Sequence, residues 1–371
     1  MEYIPVAHPL FLGNEIKYLN DCIETSWVSS GKYVERFEKQ FAKFCQVTNA
    51  SSASSGTTAL HLLLLALEIK KGDEVIVPDL TYVSTANVVR YVGATPIFAD
   101  VDENIWTLDP NKLESKISKR TKAIIVVHLY GHPADMDIIN DIAKKHKLLV
   151  IEDACQAHGA EYKSKRVGSL SKAGCFSFSG AKTITTGEGG MIVSKDKSLI
   201  EKTRVINSNY VSRKRNFFHS DIGYNFRFTN IQAALGLAQL ERIDKMLITK
   251  IRNAKLYSSF LGDEELIQLP QQKPWAKNVF WLYSIVLKKA GLRDKLRNYL
   301  AERNIETRPF FVPMHKLPMY KQLGNFHNSN FLSENGISLP SGLTLTSENI
   351  EHVSSTVKKF LKSYGKKSQK V

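Results

Sequence analysis

Apolar and polar positions fall along this chain in two kinds of block. Residues 14–45 carry a helical pattern, broken at 25–32 by TSWVSSGK. Ser54, Ser55, Gly56 and Thr57 then introduce a run rich in Ala and Leu, which predicts a capped helix start and a helix ending near Gly72. EVIVP at 74–78 reads as a short strand, and strand-like runs recur at 95–101, 123–128 and 148–154. The stretch 135–147 reads as a helix between the last two. Apolar, β-branched strands alternating with helices predict an α/β fold with a large, mostly parallel sheet covered on both faces. One long helix is expected over 229–261.

From about residue 262 the character changes. An apolar segment at 280–287, an amphipathic helix at 292–304, the strip TRPFFVPMHKLPMY at 307–320 and a last helix near 347–363 suggest a smaller α/β unit. We therefore divide the chain into a large domain, 1–250, and a small C-terminal domain, 251–371. The polar tail at 365–371 is expected to fray.

Composition narrows the class. With 371 residues, 43% of them apolar, the chain has ample core for a large globular protein. No apolar run approaches the ~20 residues of a membrane span, and MEYIPVAHPLFLGNE has no signal-peptide pattern. Cys22, Cys45, Cys155 and Cys175 are scattered without CxxC spacing, which reads as reduced thiols in a cytoplasmic protein with no metal site. The net charge of +15 comes mostly from dispersed lysines, as at 70–73, 144–147, 212–215 and 366–367. Without interleaved aromatics or a DNA-binding pattern, these fit a lysine-rich surface and a phosphate-bearing substrate rather than nucleic acid.

The segment SFSGAKTITTGEGG, 177–190, carries the chemistry. It sets Lys182 between hydroxyls and glycines on one side and a glycine turn on the other. A lysine becomes a nucleophile when desolvation or a nearby cation lowers its pKa. Hydroxyls and open backbone N–H groups beside it suit a phosphate. Both needs meet in pyridoxal phosphate. Taken alone, a lysine in such a loop is more often a solvated loop residue. Asp153, at the carboxyl end of a strand-like run, could pair with a pyridine nitrogen or cap a turn. The SGTTA segment could hold phosphate at a helix N-terminus or be a simple cap. Tyr82 could stack on a flat ring or sit in a core.

Together these features resemble the DegT/DnrJ/EryC1/StrS family of sugar-nucleotide aminotransferases. The resemblance runs nearly end to end, through SGTTALHLLLLAL, GDEVIVPDLTYVSTAN, VHLYGHPADMD, VIEDACQAHGA, SFSGAKTITTGEGGM, GYNFRFTNIQAALGLAQL and TRPFFVPMHKLPMY. It implies an aspartate-aminotransferase-like fold and pyridoxal 5'-phosphate as cofactor. By position, Lys182 matches the Schiff-base lysine, Asp153 the pyridine-nitrogen partner, Gln156 the group beside the ring hydroxyl and Tyr82 the stacking residue. Gly56 and Thr57 match backbone phosphate donors, and Ser177 adds its hydroxyl. Asn225 matches an asparagine that reaches the phosphate in the partner subunit, which implies a homodimer with shared sites. Trp27, Arg308 and His315 are candidate substrate contacts, with structural roles equally open to each.

The implied reaction moves the amino group of glutamate to C4 of a nucleotide-linked 4-keto-6-deoxyhexose, a step in polysaccharide (O-antigen) biosynthesis. The blocks look most like the branch that forms GDP-perosamine from GDP-4-keto-6-deoxymannose. The viosamine-type branch, on UDP- or dTDP-linked sugars, shares much of the pattern. A sugar 3-dehydratase is disfavoured, since those relatives carry histidine in place of Lys182. A non-catalytic regulator with the same fold is the remaining alternative.

Overall fold

The computed structural model describes residues 2–212 and 215–368, with the side chains of 365–368 left aside. Arg213 and Lys214 of the basic run, and the last three residues of the tail, lie outside the described residues.

Two helices come first, α1 (Glu15–Glu24) and α2 (Lys32–Phe44), separated where TSWVSSGK interrupts the pattern. On α2 the four-residue spacing of Tyr33, Phe37 and Phe41 puts all three rings on one buried face. The main sheet then assembles from β1 (Asn49–Ala53), β2 (Glu74–Pro78), β3 (Thr95–Ala99), β4 (Thr121–Val127) and β5 (Leu149–Asp153). A short hairpin, β6 (Glu161–Tyr162) and β7 (Lys165–Arg166), precedes its last two strands, β8 (Ala173–Ser177) and β9 (Gly190–Ser194). The spatial order is β1-β9-β8-β5-β4-β2-β3. The pairs from β8 to β3 are parallel, and β9 alone runs against its neighbours. A mostly parallel sheet is therefore what forms.

Helices α3 (Gly56–Ala66), α4 (Ser84–Tyr91), α5 (Met136–Lys145), α6 (Lys197–Asn207) and α7 (Asn230–Leu240) accompany the sheet. Apolar all round, α3 is buried almost throughout, among Ala53, Val77, Ile125 and Cys175 of the strands and Ile200 of α6. On the opposite face the α2 rings pack with Phe176, Phe178, Phe228 and Leu237.

Beyond residue 261 a second sheet forms from β10 (Ile267–Gln268), β12 (Ser284–Leu287), β13 (Arg308–Pro309) and β14 (Gly336–Ser338), in the order β10-β12-β14-β13. β11 (Ala276–Lys277) instead joins the β6–β7 hairpin. Helices α8 (Ile243–Leu261), α9 (Arg293–Ala301), α10 (His327–Asn335) and α11 (Ser347–Ser368) pack around this sheet. The N-terminus returns to the same region, Ile4 bridging to Ile305. Among the described residues no helix is long and apolar enough to cross a membrane.

Three expectations change. The helix that starts at Gly56 ends at Ala66 rather than near Gly72, because Glu68 takes a left-handed φ of 61° and turns the chain toward β2. The single helix over 229–261 is two helices, α7 and α8. Arg242 leaves helical geometry at φ −117°, so α7 can bury its face on α2 while α8 packs against α11. The last helix, expected near 347–363, continues as α11 through Ser368.

Candidate active site

The carboxyl ends of β1, β5 and β8 and the loop after β2 converge on one cavity of about 320 Å³. It is the crevice at strand ends where open parallel sheets place ligands. Gly56, Thr57, Tyr82, Asp153, Gln156, Ser177, Lys182 and Arg308 all line it.

One end is the N-terminus of α3. Ser55 caps it, accepting the Thr58 N–H at 3.1 Å while the Thr58 hydroxyl accepts the Ser55 N–H at 2.9 Å. This reciprocal pair leaves the first-turn amides of Gly56 and Thr57 beside the cavity, without intrahelical acceptors and at the positive end of the helix dipole. Thr57 donates its hydroxyl to Ser84 at 2.8 Å. Position 56 needs glycine: a Cβ there would come within 2.8 Å of both Cys155 Sγ and Ser177 Cβ. An anion is well served at this end.

The floor carries an acid. Asp153 is the last residue of β5 and only 6% exposed. Its Oδ2 accepts the Thr85 hydroxyl at 2.8 Å and its Oδ1 the Cys155 N–H at 3.2 Å, which fixes the carboxylate. Gln156, also buried, accepts the Tyr130 N–H at 3.1 Å through its side-chain carbonyl.

Lys182 sits in the loop between β8 and β9. Two bonds tie that loop: the Lys182 N–H donates to the Ser179 carbonyl at 2.9 Å, and Trp281 Nε1 donates to the Ala181 carbonyl at 2.8 Å. The Lys182 ammonium lies 3.9 Å from the centre of the Trp281 ring. Desolvation holds its pKa below the ordinary lysine value, and the positive charge of Arg308 adds to this, against the opposing pull of Cys155, Asp153 and Glu188. The thiol of Cys155 is itself pushed well up by burial.

An aromatic wall closes the other side. Tyr82 meets Phe311 at 5.9 Å, Phe311 stacks on Tyr130 at 5.7 Å, and Tyr130 lies parallel to Trp281 at 6.2 Å. A phosphate end, a buried acid at the floor, a desolvated lysine and an aromatic side suit a flat cationic ring bearing a phosphate and a carbonyl.

The remaining expected residues lie elsewhere. Asn225 is exposed and does not line the cavity. Trp27 is 61% exposed and lines a separate hollow with Asp21, Lys32 and Asn230. His315 is turned away: its Nδ1 is 2.7 Å from Asp79 Oδ2, and its ring stacks on Phe326 at 4.4 Å. Trp281, Thr85, Ser84 and Phe311 were not singled out in sequence. Trp281 belongs to a stretch that reads only as an apolar segment, and nothing local in it signals contact with a loop a hundred residues earlier.

Comparisons with known proteins point to aminotransferases. The model of the DegT/DnrJ/EryC1/StrS aminotransferase family matches residues 12–358. A protein of Escherichia coli O157:H7 named GDP-perosamine synthase is 44% identical over 362 residues, covering 97% of this chain and 99% of that protein. A solved structure of S. venezuelae DesV in complex with a ketimine intermediate aligns with a TM-score of 0.89 at 34% identity, over 94% of each chain. A putative sugar aminotransferase of Streptococcus pneumoniae, solved in its PLP form, aligns with a TM-score of 0.93 at 26% identity, over 98% of this chain and 99% of that one.

Proposed function

The chain belongs to the DegT/DnrJ/EryC1/StrS aminotransferase family, and we propose that it transfers the amino group of glutamate to C4 of GDP-4-keto-6-deoxymannose, giving GDP-perosamine. The observation that carries the choice of sugar is the near-full-length 44% identity to a GDP-perosamine synthase. Pyridoxal phosphate is the cofactor, and when bound it supplies a carbonyl for the amino group and an electron-withdrawing ring.

In this reading residues 1–250 form the unit that holds the cofactor and 251–371 the smaller one. The amides of Gly56 and Thr57 and the Ser177 hydroxyl would hold the phosphate. Asp153 would accept a hydrogen bond from the ring nitrogen and favour its cationic form. Gln156 would serve the ring hydroxyl, and Tyr82 would cover a ring face. Lys182, made neutral more readily by desolvation, would hold the cofactor covalently. Its Nζ, when free, would carry the proton to and from C4 of the sugar, work worth roughly 10²–10⁴ in rate. Arg308 offers its guanidinium to the anionic groups of donor or sugar nucleotide.

The reading includes a homodimer. Asn225 is exposed, and two nearby apolar side chains, Phe217 and Ile222, are 96% and 87% exposed. A second copy would cover them and receive Asn225 at its own phosphate site. A cytoplasmic location accords with the four free thiols.

The test is a comparison of kcat/KM for the GDP-, UDP- and dTDP-linked 4-keto-6-deoxy sugars with glutamate as donor, the product identified by mass and NMR. The GDP sugar is expected to lead. A UDP or dTDP sugar preferred by more than about tenfold, ~1.4 kcal/mol in the transition state, replaces this assignment with the viosamine type. Failure of glutamate with every sugar, where another amino acid succeeds, overturns the donor alone.

A further inference from the structure

The indole that faces Lys182 is held from behind by a second lysine. Lys250 lies on α8 with its side chain buried, and its Nζ donates to the carbonyls of Trp281 and Ser341, each at 3.0 Å. Both acceptors are neutral, so a charge has been taken out of water without an opposite charge in these contacts. Burial holds its pKa down to about 8. A methionine would fill similar volume without that cost, so packing gives no reason for an ammonium here.

The two carbonyls do give one. Ser341 is a junction: its N–H donates to the Val6 carbonyl, its Oγ accepts the Tyr283 N–H at 2.8 Å and donates to the Leu339 carbonyl at 2.7 Å. Lys250 thus ties α8 to the turn after β14 and to the segment leading into β12. On its other side the Trp281 backbone lies against Gly131, where a Cβ would come within 2.9 Å of the Trp281 nitrogen. Trp281 is clamped between Gly131 and Lys250, and only its indole projects to the Lys182 loop.

We propose that Lys250 is a positioning residue for Lys182, fixing the Trp281 backbone so that the indole presents its face to the Lys182 nitrogen and its N–H to the Ala181 carbonyl. The inference rests on Lys182 being the residue that carries the cofactor. An indole face stabilises a cation beside it, so Trp281 opposes the desolvation of Lys182. The charge of Lys250 acts the other way, because like charges disfavour the cationic form. Removing Lys250 therefore moves the Lys182 proton in opposite directions under the two accounts.

The experiment is a pH titration of the cofactor's visible absorbance in the holoenzyme, which reads the proton on the Lys182 nitrogen. In Lys250→Met the midpoint is expected to fall by about 0.5–1 pH unit, the scale of a cation–π contact. Trp281→Leu is expected to lower it similarly, and the double variant no further than either single one. A midpoint that stays or rises in Lys250→Met, or shifts that add in the double variant, overturns the proposal. If Lys250→Met does not fold, Lys250→Gln, uncharged and too short to span both carbonyls, replaces it with the same expectation. A visible band that survives Lys182→Ala defeats the underlying reading of Lys182. A Lys182-dependent band whose midpoint ignores Lys250 defeats this inference alone.

Discussion

At the scale of single residues, Asp153 and Lys182 present opposite problems of charge. Asp153 is enclosed yet fixed by a hydroxyl and a backbone N–H. Lys182 is desolvated and faces an indole. Lys182 gives up a proton more easily than free lysine. Asp153→Asn keeps the size and loses the charge. Loss of a charge-assisted bond of about 1.5–3 kcal/mol should lower kcat by roughly 10- to 100-fold, with circular dichroism unchanged. Turnover near wild type would show that another group keeps the ring cationic. Both residues were legible in sequence because each sits in a contiguous motif whose neighbours build its surroundings. Trp281 was not, because its contact with Ala181 spans a hundred residues and depends on how the second sheet docks. Arg308 was named and lines the cavity, whereas His315, seven residues on, is drawn to Asp79 by a short hydrogen bond.

At the scale of elements, the start of α3 couples stability to binding. Its capping box uses Ser55, so Ser55→Ala should cost about 1 kcal/mol of unfolding free energy, measured by urea denaturation. Ser55→Asp keeps a good cap and should keep that stability, but it sets a carboxylate beside the proposed phosphate site. Its affinity for pyridoxal phosphate should fall at least about tenfold by like-charge repulsion. Wild-type affinity in Ser55→Asp would place the phosphate elsewhere. Elements with strong apolar runs, such as β2, β4 and β5, were readable from the chain alone. β1 was not: NASSA has no β-branched residue, and it becomes a strand by pairing along β9. The break between α7 and α8 carries no glycine or proline. It arises because the two helices bury their faces on different partners, which no local pattern reports.

At the scale of the whole molecule, the cavity is enclosed by both sheet units, and the role proposed for Asn225 would need a second chain. Every other proposed phosphate contact lines this chain's own cavity, while Asn225 is exposed on a segment that also displays Phe217 and Ile222. A two-fold dimer would cover such side chains and bring the same segment to both sites. The consequence is genetic as well as structural. Lys182→Ala and Asn225→Ala should each be nearly inactive as homodimers. A heterodimer of the two has one site with both groups and one with neither. After subunit exchange or co-expression, a randomly mixed population should regain roughly a quarter of wild-type activity, since half the dimers are mixed and half their sites are intact. Verified heterodimers as inactive as either parent, with wild-type controls surviving the same treatment, would mean that each chain completes its own site and that Asn225 serves some other purpose.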